Sequence, residues 1–162
     1  MRVGFVGAGT LTKTFGRHLI NAGHAIVVSN SRGPETLTGL VADLGPGATA
    51  GTKRQAAESD IVILATNWVN VPEALKDIYW HGRILIDATN AHMDSKPDVS
   101  LKGVNRSVAA LKGRTSSEMI AENGPRRKTC EVDQQYANGL DTRLFVEQAK
   151  DSHLHVRRRQ RS

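Results

Sequence analysis

Short apolar runs alternate along the chain with segments in which apolar residues recur every three or four positions. The runs predict strands at residues 3–6, 25–28, 48–50, 61–65 and 84–86. The intervening segments predict helices over residues 10–22 and 34–44, and shorter helices beginning after Thr52, Asn70 and Thr115. The helix after Asn70 is expected to carry Ala74, Leu75 and Ile78. Strands that alternate with helices predict an α/β fold built on a doubly wound, mostly parallel sheet.

Residues that favour helix ends stand at several of these boundaries. Gly23 and Gly45 follow the first two helices, where glycine commonly ends a helix. Pro34 falls in the first turn of the second helix, which proline tolerates. Capping-box spacing is found in the pairs Thr52 with Gln55, Asn70 with Glu73, and Thr115 with Glu118. The run 61–65 is apolar at every position, which predicts a central strand covered on both faces.

The first predicted strand ends at the glycine pair Gly7-Ala8-Gly9. In a strand–turn–helix unit, the first glycine makes a tight turn and the second lets the backbone approach a pyrophosphate, which rests on the helix N-terminus. We therefore expect the backbone N–H groups of Gly7, Gly9, Thr10 and Leu11 to bind a pyrophosphate. Thr12 replaces the usual third glycine, so the helix should lie slightly farther from the sheet.

The second predicted strand is followed by Asn30-Ser31-Arg32. A cofactor with a free 2′-hydroxyl would be met here by an acidic residue, whereas arginine suits a 2′-phosphate through its charge and forked donors. This pattern predicts an NADP(H) site in which Ser31 and Arg32 bind the adenosine 2′-phosphate, with help from Asn30. The alternative for Arg32 is a solvated surface side chain.

Polar residues also follow the fourth and fifth predicted strands. Ligands of such sheets bind beyond the carboxyl ends of the strands. We therefore expect the ribose and nicotinamide to be lined by Thr66, Asn67, Trp68, Thr89 and Asn90. For Trp68 the alternative is simple packing under a loop. The sequence offers no convincing general acid or base, since His81 and His92 fall in predicted loops and are expected to be solvated.

Composition is that of an ordinary globular protein. The chain has 162 residues, of which 39% are hydrophobic and 23% charged, enough for one domain with a real core. No apolar run is long enough to span a bilayer, and the N-terminus has the pattern of neither a signal nor a transit peptide, so we expect no membrane contact and a cytoplasmic location. The single cysteine, Cys130, excludes an internal disulfide and a cysteine-rich metal site.

The positive charge is concentrated near the C-terminus. The formal net charge is +6, and residues 124–162 carry nine Lys/Arg against five Asp/Glu. A tail ending in Arg157-Arg158-Arg159-Gln160-Arg161 is typical of a solvated segment, so nucleic-acid binding is not expected. The pair His153 and His155 is not expected to bind a metal.

Four motifs together resemble a known family. They are Val6-Gly7-Ala8-Gly9, Ser29-Asn30-Ser31-Arg32-Gly33-Pro34-Glu35, Ala65-Thr66-Asn67-Trp68 and Ile86-Asp87-Ala88-Thr89-Asn90. The chain resembles the coenzyme F420-dependent NADP oxidoreductases over about residues 1–125, and pyrroline-5-carboxylate reductases have a similar N-terminal domain. Members usually have asparagine, a hydrophobic residue and glycine where this chain has Thr10, Leu11 and Thr12, and more often proline at position 67.

The resemblance implies a Rossmann-type NADP(H)-binding domain over residues 1–125 that exchanges hydride with a flavin-like (F420-type) or other small acceptor. It also implies a homodimer. Three alternatives stay open: an imine or pyrroline-5-carboxylate-type reductase, a non-catalytic NADP(H) sensor, and an inactive truncated homologue. In relatives, the elements that follow this domain help to build the acceptor pocket and the dimer contacts.

The resemblance stops at Pro125. Family members continue with a sixth strand that reads approximately Ala-Arg-Val-Val-Lys-Ala-Phe-Asn-Thr, whereas residues 126–136 of this chain have no strand pattern. Back-translation from Lys128 with the frame moved forward by one base permits Arg-Leu-Val-Lys-Ser-Ile-Asn-Asn-Met, which resembles the missing strand. We therefore expect residues 126–162 to be an atypical basic tail that is read out of frame; the alternative is a genuine divergent C-terminus.

Overall fold

A computed structural model of the protein describes residues 1–79, 83–89, 119–120 and 129–131. The strands in these ranges are β1 (Arg2–Val6), β2 (Ala25–Ser29), β3 (Ala48–Ala50), β4 (Ile61–Leu64), β5 (Ile84–Asp87) and β6 (Thr129–Glu131). The α-helices are α1 (Thr10–Asn21), α2 (Thr38–Leu44), α3 (Lys53–Ala57) and α4 (Val71–Leu75). Two 3-10 helices, Pro34–Leu37 and Trp68–Asn70, directly precede α2 and α4.

The strands form one parallel sheet in the order β3-β2-β1-β4-β5-β6. The chain proceeds outward from β1 through β2 to β3 and then returns to the other side of β1 with β4. The predicted doubly wound, Rossmann-type α/β fold is confirmed. In such sheets the ligand crevice opens where the strand order reverses, which here is between β1 and β4.

Each face of the sheet carries its own apolar cluster. Phe15 and Leu19 of α1 and Leu44 of α2 pack on one face, and Leu75 of α4 and Ile120 pack on the other. The side chains of β4 divide between the two clusters in alternation: Ile61 and Ile63 on the first face, Val62 and Leu64 on the second. The prediction that this strand is covered on both faces is therefore confirmed. Full burial stabilises such side chains by about 1.5–3 kcal/mol each.

The fourth helix differs from its prediction at both ends. Asn70 makes no side-chain cap hydrogen bond, so the predicted capping box with Glu73 is wrong. Asn70 has near-helical φ and ψ of −94° and −6° because it belongs to a 3-10 turn, whereas a capping residue needs an extended backbone. The helix ends at Leu75 and does not reach Ile78, since Lys76 is extended and Asp77 has a positive φ of 61°.

The outermost strand on one side, β6, lies where the sequence shows no strand pattern. Thr129–Glu131 pair in parallel with β5, with Leu85 opposite Thr129 and Asp87 opposite Glu131. The expectation that residues 126–136 contain no strand is wrong here, because a strand edge can pair with the backbone groups of any non-proline segment. The rest of the predicted tail lies outside the described residues.

The helix predicted after Thr115 is described only at Met119 and Ile120, which are helical. Ile120 is buried in the cluster on the α4 face. None of the helices in the described part of the chain has the length and apolar character needed to cross a membrane.

Candidate functional site

The carboxyl ends of four strands lie side by side in one row of the sheet. Val6, the last residue of β1, is in register with Ser29 of β2 and with Leu64 of β4. Leu64 is in turn in register with Asp87, the last residue of β5. The four segments that carry the predicted site residues therefore leave the sheet from the same edge.

Backbone hydrogen bonds continue across this row just beyond the strand ends. They run from Gly7 N–H to the Ser29 carbonyl at 2.9 Å, from Ala65 N–H to the Val6 carbonyl at 2.8 Å, and from Ala88 N–H to the Leu64 carbonyl at 3.1 Å. These bonds fix the starting point of each loop relative to its neighbours. The loops at the edge are thus held by the sheet itself.

The two glycines after β1 meet different requirements. Gly7 has a φ of 125°, and a β-carbon on it would overlap the carbonyl oxygen of Ala65, so only glycine fits this turn. Gly9 is exposed, and no heavy atom of the described residues lies within 4 Å of the place where its β-carbon would be. Gly7 therefore meets a constraint inside the protein, whereas Gly9 leaves open space beside the backbone for a ligand.

The N-terminus of α1 lies at this edge, and the described residues provide no acceptor for its first backbone N–H groups. Gly9 precedes the helix, provides no side-chain cap, and accepts the first helical bond, from Lys13 N–H at 3.1 Å. The N–H groups of Thr10, Leu11 and Thr12 therefore lack a helical acceptor. The first turn contains no acidic residue. This arrangement is favourable for an anion, since the helix dipole and the free donors point the same way.

Thr12 ties the helix to the glycine turn. Its side chain is fully buried, and its hydroxyl donates a 2.8 Å hydrogen bond to the carbonyl oxygen of Gly7. Gly16, one turn later, lies over β2, where an added β-carbon would be 2.9 Å from Ile26 Cδ1. The close contact between helix and sheet thus occurs at Gly16, and the position of the usual third glycine is used for a hydrogen bond.

The loop after β2 presents two exposed polar side chains, those of Ser31 and Arg32. The Arg32 guanidinium makes no hydrogen bond or ion pair with any residue that the structure describes. Asn30, by contrast, directs its amide into the loop, where its oxygen accepts hydrogen bonds from the N–H groups of Arg32 and Gly33. An exposed guanidinium with no partner among the described residues, close to a helix N-terminus, makes this edge suited to phosphate.

The residues predicted beyond β4 are in three different environments. Thr66 is half-buried and Asn67 is exposed, with the Asn67 carbonyl accepting a 2.9 Å hydrogen bond from Asn70 N–H. Trp68 is half-buried and packs against the apolar cluster that contains Leu75. The packing of Trp68 agrees with the alternative that the sequence left open for it.

Beyond β5, Thr89 is buried and is held by Asp87. The Thr89 N–H and hydroxyl both donate to Asp87 Oδ1, at 2.9 and 2.6 Å. Asp87 is itself fully buried at the end of the strand. The hydrogen bonds between Asp87 and Thr89 fix two polar side chains at the carboxyl edge of the sheet, next to β4. Asn90, His81 and His92 lie outside the described residues.

A dinucleotide with a phosphorylated adenosine fits the chemistry of these residues. The space beside Gly9 and the N-terminal N–H groups of α1 suit a pyrophosphate, and the exposed guanidinium of Arg32 suits a further phosphate group. Within the described ranges, no group of three or more His, Cys, Asp or Glu side chains is arranged to hold a metal ion.

Comparison with known proteins gives a family and a fold. Residues 2–91 match the model of the family described as NADP oxidoreductase, coenzyme F420-dependent. A crystal structure of a hypothetical protein from Sinorhizobium meliloti is similar with a TM-score of 0.65 and 26% identity, over 81% of this chain and 60% of that one. The chain therefore spans three fifths of the length of that relative.

The same fold occurs in a reductive aminase from Aspergillus terreus, solved in complex with NADPH and ethyl levulinate. That structure has a TM-score of 0.53 and 17% identity, over 82% of this chain and 39% of the aminase. No curated protein matches the chain.

Proposed function

Because the chain belongs to the family of coenzyme F420-dependent NADP oxidoreductases, we propose that it transfers hydride between NADP(H) and a flavin-like, F420-type acceptor or another small acceptor. The cofactor would lie along the carboxyl edge of the sheet, across the switch point between β1 and β4. The observation that carries the proposal is the Arg32 guanidinium after β2, which is exposed and has no partner among the described residues. It lies in a loop where a cofactor without the extra phosphate would be met by a carboxylate.

The pyrophosphate is assigned to the turn and the first turn of α1. Gly7 shapes the turn, Gly9 leaves room for the ligand, and the N–H groups of Thr10 and Leu11 have no acceptor among the described residues. Each such contact is a hydrogen bond to a charged acceptor, worth about 1.5–3 kcal/mol. Because every pyridine dinucleotide has a pyrophosphate, these residues would hold the cofactor without selecting between its two forms.

Selection of NADP(H) over NAD(H) is assigned to Ser31 and Arg32. A guanidinium can donate two parallel hydrogen bonds to one phosphate group, and a serine hydroxyl can add a third. No carboxylate forms an ion pair with Arg32 among the described residues, so its charge is available to a ligand. The adenosine 2′-phosphate is the group in which NADP(H) differs from NAD(H).

The nicotinamide side of the cofactor is assigned to the segments after β4 and β5, with Thr66, Asn67, Trp68, Thr89 and Asn90 as its predicted lining. The hydride chemistry is supplied by the cofactor, and the protein orients the reacting rings and excludes competing reactions. Hydride exchange with a flavin-like acceptor needs no protein proton donor close to the reacting carbon. The absence of a convincing acid or base in the sequence is consistent with this chemistry.

The experiment is a titration of the Arg32→Ala variant with NADPH and with NADH, in which the fluorescence of the cofactor reports binding. Loss of a charge-assisted phosphate contact should weaken NADPH binding by about 10–100-fold and leave NADH binding nearly unchanged. Arg2→Ala is the matched control, because Arg2 is an exposed arginine at the amino end of β1, on the opposite edge of the sheet. Equal losses for the two cofactors in Arg32→Ala would refute the assignment.

Turnover then separates the possible activities of the same protein. Oxidation of NADPH with F420 or FMN supports the proposed acceptor class, and oxidation with a cyclic imine supports an imine reductase. NADPH binding without oxidation by F420, FMN, ferric or imine acceptors would identify a sensor or an inactive homologue and end the oxidoreductase proposal.

A further inference from the structure

A closed ring of hydrogen bonds organises the loop between β2 and α2. Asn30 Nδ2 donates to Thr36 Oγ1 at 2.8 Å, and the Thr36 hydroxyl donates to the Gly33 carbonyl at 2.8 Å. Gly33 N–H completes the ring by donating to Asn30 Oδ1 at 2.9 Å, and Arg32 N–H donates to the same oxygen at 3.0 Å. Both polar atoms of the Asn30 amide are therefore used inside the loop.

The ring joins two well-supported parts of the fold. Asn30 directly follows Ser29, which is fully buried and donates a 2.8 Å hydrogen bond to the carbonyl oxygen of Phe5. Thr36 belongs to the 3-10 helix Pro34–Leu37, which is fixed in the core by Leu37, only 2% exposed. The ring thus connects the end of β2 to the start of the next helical segment.

Only Ser31 and Arg32 lie between Asn30 and Gly33, and both side chains are exposed. Gly33 has a φ of 104°, a backbone conformation that other residues rarely adopt, so the chain reverses sharply after Arg32. The hydrogen bonds to the N–H groups of Arg32 and Gly33 hold the backbone on either side of this reversal. The direction in which the Arg32 side chain leaves the loop is therefore set by the ring.

We propose that Asn30 and Thr36 are specificity-determining positioning residues, which hold Ser31 and Arg32 in the arrangement that receives the 2′-phosphate of NADP(H). This inference rests on the proposed function, because it assigns the 2′-phosphate to those two residues. Asn30 acts on the cofactor through the loop backbone. Thr36 acts less directly, through its hydrogen bonds with the Asn30 side chain and the Gly33 carbonyl.

The physical effect is preorganisation. Without the ring, the loop samples several backbone conformations, and a ligand that uses the loop must order it on binding. NADPH uses the loop through its extra phosphate, whereas NADH reaches the protein through the pyrophosphate turn. Loss of the ring should therefore reduce the preference for NADPH over NADH. A role confined to stability would lower the melting temperature and leave that preference unchanged.

The test compares Thr36→Val with Thr36→Ser. Valine removes the hydroxyl at nearly constant volume, and serine keeps it; Thr36 is exposed, so neither change disturbs the core. Thr36→Val should weaken NADPH binding by about fivefold or more, with NADH binding within about twofold of wild type, and Thr36→Ser should keep most of the preference. Thr49→Val is the matched control, because Thr49 is an exposed threonine of β3 with no side-chain hydrogen bond to the described residues.

Asn30→Ala should have the same selective effect, and combining it with Thr36→Val should add little, because both substitutions open the same ring. Parallel losses of NADPH and NADH affinity, or full additivity of the two substitutions, would overturn the positioning role. If Arg32→Ala removes the preference but neither Asn30→Ala nor Thr36→Val does, this inference fails and the proposed function stands. If Arg32→Ala leaves the preference intact, the proposed function itself fails.

Discussion

Thr12 occupies the position at which dinucleotide-binding turns usually have their third glycine. In this chain the side chain is buried between helix and turn, with its hydroxyl bonded to the Gly7 carbonyl at 2.8 Å. A buried hydroxyl with a partner is tolerated at little cost, and the same bond restrains the residue that must keep a φ of 125°. The hydrogen bond of the Thr12 hydroxyl therefore compensates for the bulkier side chain at a position where glycine is usual.

We predict that Thr12→Val destabilises the protein and weakens the binding of NADPH and NADH equally. Valine keeps the shape but leaves the Gly7 carbonyl without its side-chain donor, at a cost of about 1–3 kcal/mol. Because the turn is proposed to bind the pyrophosphate, which both cofactors contain, NADPH and NADH should lose affinity by the same factor. Denaturant unfolding and fluorescence titration measure the two effects, and Thr12→Ser is the control that keeps the hydroxyl. An unchanged unfolding midpoint in Thr12→Val would contradict the role of the bond.

The candidate site was predictable from sequence where a residue's role follows from its type and position. Gly7 is of this kind, since a positive φ at the turn follows from the motif. The exposure of Arg32 after β2 also agrees with the motif, and its role in binding stays a prediction. The roles of Thr36 and of the Thr12 hydroxyl were not predicted, because each depends on which carbonyl lies opposite in the folded chain. A signal for the ring was nevertheless present, as asparagine commonly accepts hydrogen bonds from the N–H groups two and three residues later.

At the scale of elements, α1 and α2 are joined across their surfaces by a cluster of three charges. Lys13 and Arg17, one turn apart on α1, approach Asp43 of α2 with N–O distances of 2.7 and 3.2 Å. The hydrogen bond from Lys13 is the largest cause that lowers the pKa of the Asp43 carboxyl below its usual value, and the charges of Lys13 and Arg17 act in the same direction.

We predict that this cluster gives a pH-dependent contribution to stability. A carboxyl with a lowered pKa in the folded state favours folding when it is ionised, so the contribution is present at neutral pH and is lost as the pH falls through the folded pKa. Asp43→Asn should lower the melting temperature slightly at neutral pH and low salt, and the difference should vanish in acid and in high salt.

Glu58→Gln is the control for Asp43→Asn, because Glu58 is exposed and its side chain has no partner among the described residues. Thermal unfolding followed across the acid range provides the measurement. A difference between Asp43→Asn and wild type that stays constant from neutral to acid pH would show that the charge of Asp43 is not its source.

The elements that sequence predicted well are those whose apolar pattern matches the way they are buried. β4 and α1 are examples, because one is covered on both faces and the other on one face only. α4 was predicted less well, since its start is set by the preceding 3-10 turn and its end by the left-handed Asp77. β6 was missed because strand pairing at a sheet edge is made by the backbone and leaves no hydrophobic pattern.

At the scale of the whole molecule, the order of the sheet follows from a few rules. Alternating strands and helices give parallel pairing, and crossovers in such sheets are almost always right-handed, so helices on opposite faces carry the chain in opposite directions. The helices α1 and α2 pack on one face and Ala56 of α3 packs on the other, and β2 and β4 lie on opposite sides of β1. The reversal of direction at β1 brings the glycine turn next to the segment after β4. The position of the candidate site was therefore predictable, although the contacts within it were not.

We also propose that the chain after about Arg126 is read out of frame. The shifted peptide would place Leu-Val-Lys at positions 129–131, where β6 pairs with β5. Sequencing the gene across the codons for Arg126 and Lys128 tests this proposal, and the expected result is a run of bases that encodes the family-like strand in the next frame. Codons that cannot yield that peptide would establish a genuine divergent C-terminus.

The tight contact between Gly7 and the Ala65 carbonyl has a practical consequence for coenzyme engineering. A mutagenesis library meant to change dinucleotide preference has freedom at Ser31 and Arg32, whose side chains point away from the core. It has none at position 7, where even alanine would push two neighbouring loops apart. Randomising that codon would yield misfolded clones, so it should stay fixed in any such screen.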